Sequence, residues 1–194
     1  MGPDRPRRTL RPWKTLARTV LLSRPPWMEV GAERVDIGNG RVVEEFLWVT
    51  TRDFAIIVAV TPDGKVILER SYKHGPRRVA TSLPAGYLEE GEAPIDTARR
   101  ELREETGYEA DEWKSLGSFT VDGNYGVSTE HAFLALGARR ARDGGGSGHD
   151  DLEEIELLTL PLADAVALIE QGEVAQLSSA AALALAALAL SSAR

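Results

Sequence analysis

The chain has no cysteine among its 194 residues, and only three histidines, two methionines and 6 % aromatic residues. Lacking cysteine, it can build no disulfide framework, no thiolate-ligated zinc or iron–sulfur centre and no thiol nucleophile, a composition that fits a cytoplasmic protein. His74, His131 and His149 stand far apart without metal-ligand spacing, and no nucleophile-elbow glycine pattern surrounds a serine. Long apolar runs are missing as well. The longest, from Ala180 to Leu190, is too short to span a bilayer, and Thr19-Val20-Leu21-Leu22 is too short for the core of a secretory signal. Positive charge is scarce, with 23 Lys and Arg against 30 Asp and Glu and a net charge of −7, which argues against general nucleic-acid binding. What basic charge there is concentrates in residues 1–24, where seven basic side chains face one acidic one.

A chain of this length with 43 % hydrophobic content suits one globular domain with a proper core. We read residues 1–24 as a basic N-terminal arm, 25–52 as an N-terminal strand pair open to dimer contact, and 53–194 as the main domain. Trp27 to Val49 forms a strand pair around Gly38-Asn39-Gly40. Phe54–Val60 and Val66–Glu69 form a hairpin around Pro62-Asp63-Gly64. Further strands are expected at Leu116–Val121, His131–Leu136 and Ile155–Leu160, with helices over Pro161–Glu170 and Ser178–Ser192. Strands on both sides of a central helix, with a closing helix, indicate a mixed α/β domain.

The densest chemistry lies between Gly86 and Tyr108, GYLEEGEAPIDTARRELREETGY. On a helix, Glu101, Glu104 and Glu105 at i, i+3 and i+4 project from neighbouring positions, where three negative charges repel unless a cation shares them. Ile95, Ala98 and Leu102 form a separate apolar stripe for the core. Pro94 suits the first turn of this helix and Gly107 the residue just past its end. Hard carboxylate oxygens select Mg²⁺, with Mn²⁺ as a substitute, over thiophilic metals.

Gly86, five residues, Glu92, seven residues and then Arg100-Glu101-Leu102-x-Glu104-Glu105-x-Gly107-Tyr108 resembles the Nudix box, with every fixed position filled. The only soft departure is Tyr108, where the family usually has an aliphatic residue. The surrounding order, with Leu68 to Gly75 and then Leu83-Pro84-Ala85-Gly86, is similar to the ADP-ribose pyrophosphatase branch of the family. The resemblance implies a Nudix-type α/β/α sandwich with a mixed sheet, plus an N-terminal strand extension. It also implies a homodimer and a small-molecule nucleotide substrate, with no nucleic-acid or membrane partner.

In catalysis, the resemblance implies Mg²⁺-dependent hydrolysis of a nucleoside diphosphate sugar, ADP-ribose first. Alternatives are GDP-mannose, NADH, a dinucleoside polyphosphate, or a nucleotide-sensing module without turnover. By the same resemblance Glu101, Glu105 and the main-chain carbonyl of Ala85 ligate metal, Glu104 shares a further metal or a water, and Arg100 and Glu92 position carboxylates and brace the loop. Gly86 and Gly107 are structural. In the late acidic run Asp150-Asp151-Leu152-Glu153-Glu154, Glu153 matches a metal ligand and Asp151 the base. A shift of one residue would promote Glu154 or Asp150 instead. Trp27, Phe46 and Trp48 are candidates for base stacking, with core or dimer packing as the competing reading. Lys73 falls where the branch often has a phosphate-contacting arginine, and Glu130 at a position used for the terminal sugar. The segment Asp122 to Gly126 lacks the proline typical of ADP-ribose enzymes.

Overall fold

A computed structural model describes residues 10–142 and 154–192, which divide into two compact units: residues 10–51 with 122–127, and the remainder. The smaller unit is an antiparallel sheet of β1 (Lys14–Arg24), β2 (Met28–Gly38) and β3 (Arg41–Thr51), in that spatial order. The β2–β3 turn needs a left-handed backbone at three successive residues, with φ of 86° at Gly38, 56° at Asn39 and 69° at Gly40, which is why glycine and asparagine occupy it. Trp48 lies opposite Gly31, and a Cβ on Gly31 would sit 2.3 Å from both the Trp48 ring and the Thr19 carbonyl. The glycine therefore makes room for the indole, whose face is covered by the Arg18 guanidinium 3.7 Å from the ring centroid. Residues 14–24, assigned from their charge to an arm, are thus a strand. Their basic side chains are spaced widely enough along β1 to stay in solvent while the backbone pairs with β2 from Lys14 to Arg24, with register shifts between Thr15 and Ala17 and between Val20 and Leu22.

The larger unit is built on a seven-stranded sheet. Its main path runs β12 (Glu156–Pro161), β5 (Lys65–Lys73), β4 (Phe54–Val60), β10 (Thr129–Leu136) and β9 (Glu112–Thr120). To this path β6 (Arg78–Ser82) adds beside β5, and β7 (Ala85–Tyr87) beside β4. The sheet is mixed, because β4 and β10 run parallel while the other pairs are antiparallel. Strand β4 is buried from Ala55 to Val60 and divides its side chains between two cores. Ala55, Ile57 and Ala59 pack with Ala98 and Leu102 of helix α1 (Pro94–Thr106). Ile56 and Val58 pack on the other face with Ala182, Leu183 and Ala186 of α3 (Leu177–Ser191) and Ala165 of α2 (Leu162–Glu170). Helices on both faces of one mixed sheet make the α/β/α sandwich expected. Two short strands, β8 (Tyr108–Glu109) and β11 (Arg139–Arg140), pair separately. Among the described residues no helix is long and apolar enough to cross a membrane.

Candidate active site

Helix α1 begins with Pro94 in its first turn and ends at Gly107, whose φ of 70° is left-handed and whose amide donates to the Arg103 carbonyl. Leu102, fully buried, anchors the helix on the sheet and leaves the carboxylates on the flank toward β7. Strand β7 is held from two sides. The Ile57 amide donates to the Pro84 carbonyl at 3.0 Å, and the Leu83 amide donates to Ser179 Oγ of α3 at 3.2 Å.

Against this fixed backbone the box carboxylates take distinct positions. A Cβ on Gly86 would lie 1.8 Å from Glu101 Oε1, so the Glu101 carboxylate occupies the space that a side chain would fill. Glu105 Oε2 accepts the Ala85 amide at 2.9 Å. Glu104 points outward, its side chain 52 % exposed. Arg100 connects the rest. Its guanidinium makes paired 3.0 Å bonds to Glu92 and donates to Glu101 at 2.7 Å, Glu104 at 3.1 Å and the Tyr87 carbonyl at 3.2 Å. Glu92 also accepts the Glu89 amide, which closes the loop between β7 and α1.

Burial and charge divide these groups. Glu92, hydrogen-bonded by Arg100, is held down to about 2. Glu101 is raised by burial, against the pull of Arg100. Glu105 is raised far above the usual carboxylate range, first by burial and then by the negative charge of Glu69 and of Glu101. Glu69 is the functional candidate that the sequence reading missed. It stands on β5, is 2 % exposed, and lies close enough to Glu105 to hydrogen-bond with it. The available signal was its phase. In β5, Ile67, Glu69 and Ser71 alternate onto the face that packs against α1, so a charge stands at an inward position.

Among the described residues no three carboxylates or imidazoles form a ready-made ligand set, since Arg100 stands between Glu101 and Glu104. The donors gathered here are nonetheless all hard oxygens, and burial with neighbouring negative charge, which raises Glu101 and Glu105, is a penalty that a small divalent cation would relieve. In chemistry the residues fit such an ion.

The remaining candidates are scattered. Lys73 ends β5 on the inward phase of Glu69 and Ser71. Glu130 is buried near the start of β10, opposite Phe54 and Phe119. Trp27, Phe46 and Trp48 belong to the smaller unit. Trp48 is buried opposite Gly31, Phe46 meets Trp13 edge-on with centroids 5.9 Å apart, and Trp27 is 65 % exposed in the β1–β2 turn. Asp151 and Glu153 lie outside the described residues. Glu154, just after them, lines a cavity of about 730 Å³ together with Ser71, Tyr72, His74 and Val79.

A solved ADP compounds hydrolase has the same fold, with a TM-score of 0.80 at 22 % identity, covering 95 % of this chain and 97 % of that one. The NUDIX domain family model matches residues 50–179, and the chain belongs to the Nudix family. It is 31 % identical over 166 residues to an ADP-ribose pyrophosphatase of Bacillus subtilis (strain 168), covering 83 % of this chain and 85 % of the relative. A methanol dehydrogenase activator of Bacillus methanolicus is 28 % identical over 147 residues, 76 % of this chain and 78 % of the relative. The protein is a Nudix pyrophosphatase.

Proposed function

We propose that this hydrolase cleaves the diphosphate linkage of a nucleoside diphosphate sugar with Mg²⁺ as cofactor, Mn²⁺ serving as substitute, and that ADP-ribose is split into AMP and ribose 5-phosphate. The carrying observation is the seat at Gly86, where the Glu101 carboxylate lies against bare backbone while Glu105 is tied to the next amide. The Bacillus subtilis relative supports the choice of substrate.

Glu101, Glu105 and the Ala85 carbonyl would hold the cation, with Glu104 and Glu153 as further ligands. Once bound, the cation neutralises the diphosphate and makes water easier to deprotonate. Asp151 accepts the proton as the water oxygen bonds to phosphorus and the bridging P–O bond breaks, the electron pair leaving with the departing phosphate. One step of register gives that task to Asp150 or Glu154. Arg100, bonded to Glu101 and Glu104 at once, keeps both from swinging into solvent, and Glu92 fixes Arg100. Lys73 meets phosphate as a point charge, and Glu130 serves the sugar end. Base stacking falls to Trp27 and Phe46, because Trp48 is buried with its ring face covered by Arg18 and serves packing. The protein acts as a homodimer, a reading supported by the apolar side chains that the smaller unit leaves exposed, Leu21 and Leu47 among them.

Hydrolysis of ADP-ribose, ADP-glucose, GDP-mannose, UDP-glucose, NADH and dinucleoside polyphosphates, with Glu105→Gln as the blank and products separated by chromatography, tests the proposal. AMP from ADP-ribose as the leading product is expected, with Glu105→Gln slower by ~10³-fold. A different leading substrate overturns the pocket assignment. Nucleotide binding with wild-type turnover equal to the blank favours a sensing module, the reading to which the Arg100-bound arrangement of Glu101 and Glu104 lends some support.

A further inference from the structure

Beneath the box helix the sheet presents a polar surface where a core would be expected. On the α1 face of β5, Ile67 is followed by Glu69 and Ser71, and Ser82 of β6 stands directly opposite Glu69 in the antiparallel ladder. Residues so paired project to the same face with Cβ atoms roughly 4.5–5.5 Å apart. Glu69, Ser71 and Ser82 are 2 %, 3 % and 3 % exposed. Among the described residues the hydroxyls of Ser71 and Ser82 have no hydrogen-bond partner. Buried hydroxyls without partners cost about 1–3 kcal/mol each, so a surface that gathers them beside two adjacent carboxylates is poor as a core. It is well suited to surround a hydrated cation, which accepts carboxylate and hydroxyl oxygens alike.

On this basis we infer that Glu69 is a further carboxylate of the cation site, reaching the ion from the strand side opposite the helix, and that Ser82 Oγ completes this inner edge as a direct or water-bridged oxygen ligand. The inference rests on the metal-dependent reading of the box. It adds residues that stand outside the Gly86–Tyr108 signature altogether. The chemical logic is placement. Glu101 and Glu105 come from one helix and approach from one side, whereas Glu69 comes from a strand packed under Glu105. A cation drawn to Glu105 therefore lies within reach of Glu69.

The test is Mn²⁺ binding followed by electron paramagnetic resonance, alongside melting temperatures in EDTA and in saturating Mn²⁺, for wild type, Glu105→Gln, Glu69→Gln and Ser82→Ala. Glu69→Gln should weaken Mn²⁺ binding by about 10–100-fold. It should also melt close to wild type in EDTA, because glutamine keeps the shape and polar atoms of Glu69 beside Glu105, while losing most of the Mn²⁺-induced rise. Ser82→Ala, which leaves every charge in place, should weaken binding by a smaller factor, about threefold. Wild-type Mn²⁺ affinity in Glu69→Gln and Ser82→Ala, with Glu105→Gln defective, overturns this inference and leaves the metal-dependent reading standing. Wild-type affinity in Glu105→Gln, or no binding by wild type, overturns both. If Glu69→Gln melts far below wild type in EDTA and Ser82→Ala binds normally, Glu69 is a structural group and the inference is wrong.

Discussion

The two units solve the problem of burying apolar surface in opposite ways. In the larger, six consecutive residues of β4 from Ala55 to Val60 are buried, and helices cover both faces. In the smaller, Val35 and Trp48 are the large side chains buried among the described residues of its strands. Trp13, Leu16, Val20, Leu21 and Leu47 all remain exposed. An isolated three-stranded sheet with so little interior is marginal by itself. The larger unit has the buried framework a rigid site needs, whereas the smaller leaves apolar side chains exposed, the surface that the proposed dimer would cover. That difference teaches where substitutions should affect chemistry and where they should affect assembly.

Gly86→Ala should have the largest effect short of removing a box glutamate. Its Cβ would displace the Glu101 carboxylate, the end of a flexible side chain, so the fold should survive with a melting temperature near that of wild type. Turnover should drop by ~10²-fold, as expected for a shift of about 1 Å in a reacting group. Near-wild-type kcat/KM in steady-state assays would show that the seat is not functional. Leu102→Ala should instead cost about 2–5 kcal/mol in urea unfolding at any protein concentration, because Leu102 is fully buried between α1 and the sheet. Leu21→Lys, at a side chain 60 % exposed, should change the stability of a single chain by no more than about 0.5 kcal/mol. It should, however, abolish the dependence of melting temperature on protein concentration that a homodimer shows. Light scattering that finds a stable wild-type monomer at micromolar concentration removes the dimer and with it that contrast.

The larger unit was the more legible in sequence, for physical reasons. Helix α1 has both boundary signals, Pro94 and Gly107, and a separate apolar stripe, and it forms over Pro94–Thr106. Strand β4 is an unbroken apolar run and forms at Phe54–Val60, as read. Strands β6 and β7 were missed because they are short and owe their existence to pairing with β5 and β4, which no local pattern reports. Strand β1 was missed because its side chains are exposed almost throughout, so no alternation marks a buried face. At the site, the spacing of the box brought Glu101, Glu104 and Glu105 to one helix flank. Glu69 escaped because a lone glutamate in a strand ordinarily marks the solvent face. Only the inward phase shared with Ile67 shows otherwise.

The two units should also differ in their response to acid. Glu92, whose side chain is 15 % exposed, has its folded-state pKa lowered to about 2 from 4.5, chiefly by the hydrogen bonds from Arg100, with burial opposing. A carboxylate whose folded pKa is depressed stabilises the fold fully above its unfolded value, and that contribution disappears as pH falls from about 4.5 toward 2. The bonds to Arg100 place its size at about 1–3 kcal/mol. The ion pair of Arg34 with Glu44 in the smaller unit is solvent-exposed on both sides and should contribute little to stability. Urea unfolding between pH 5 and 2.5 should therefore show a decline in wild type that flattens in Glu92→Gln and persists in Glu44→Gln. If Glu44→Gln flattened it as much, the acid sensitivity would belong to the sheet of β1 to β3 and not to the bracing of Arg100.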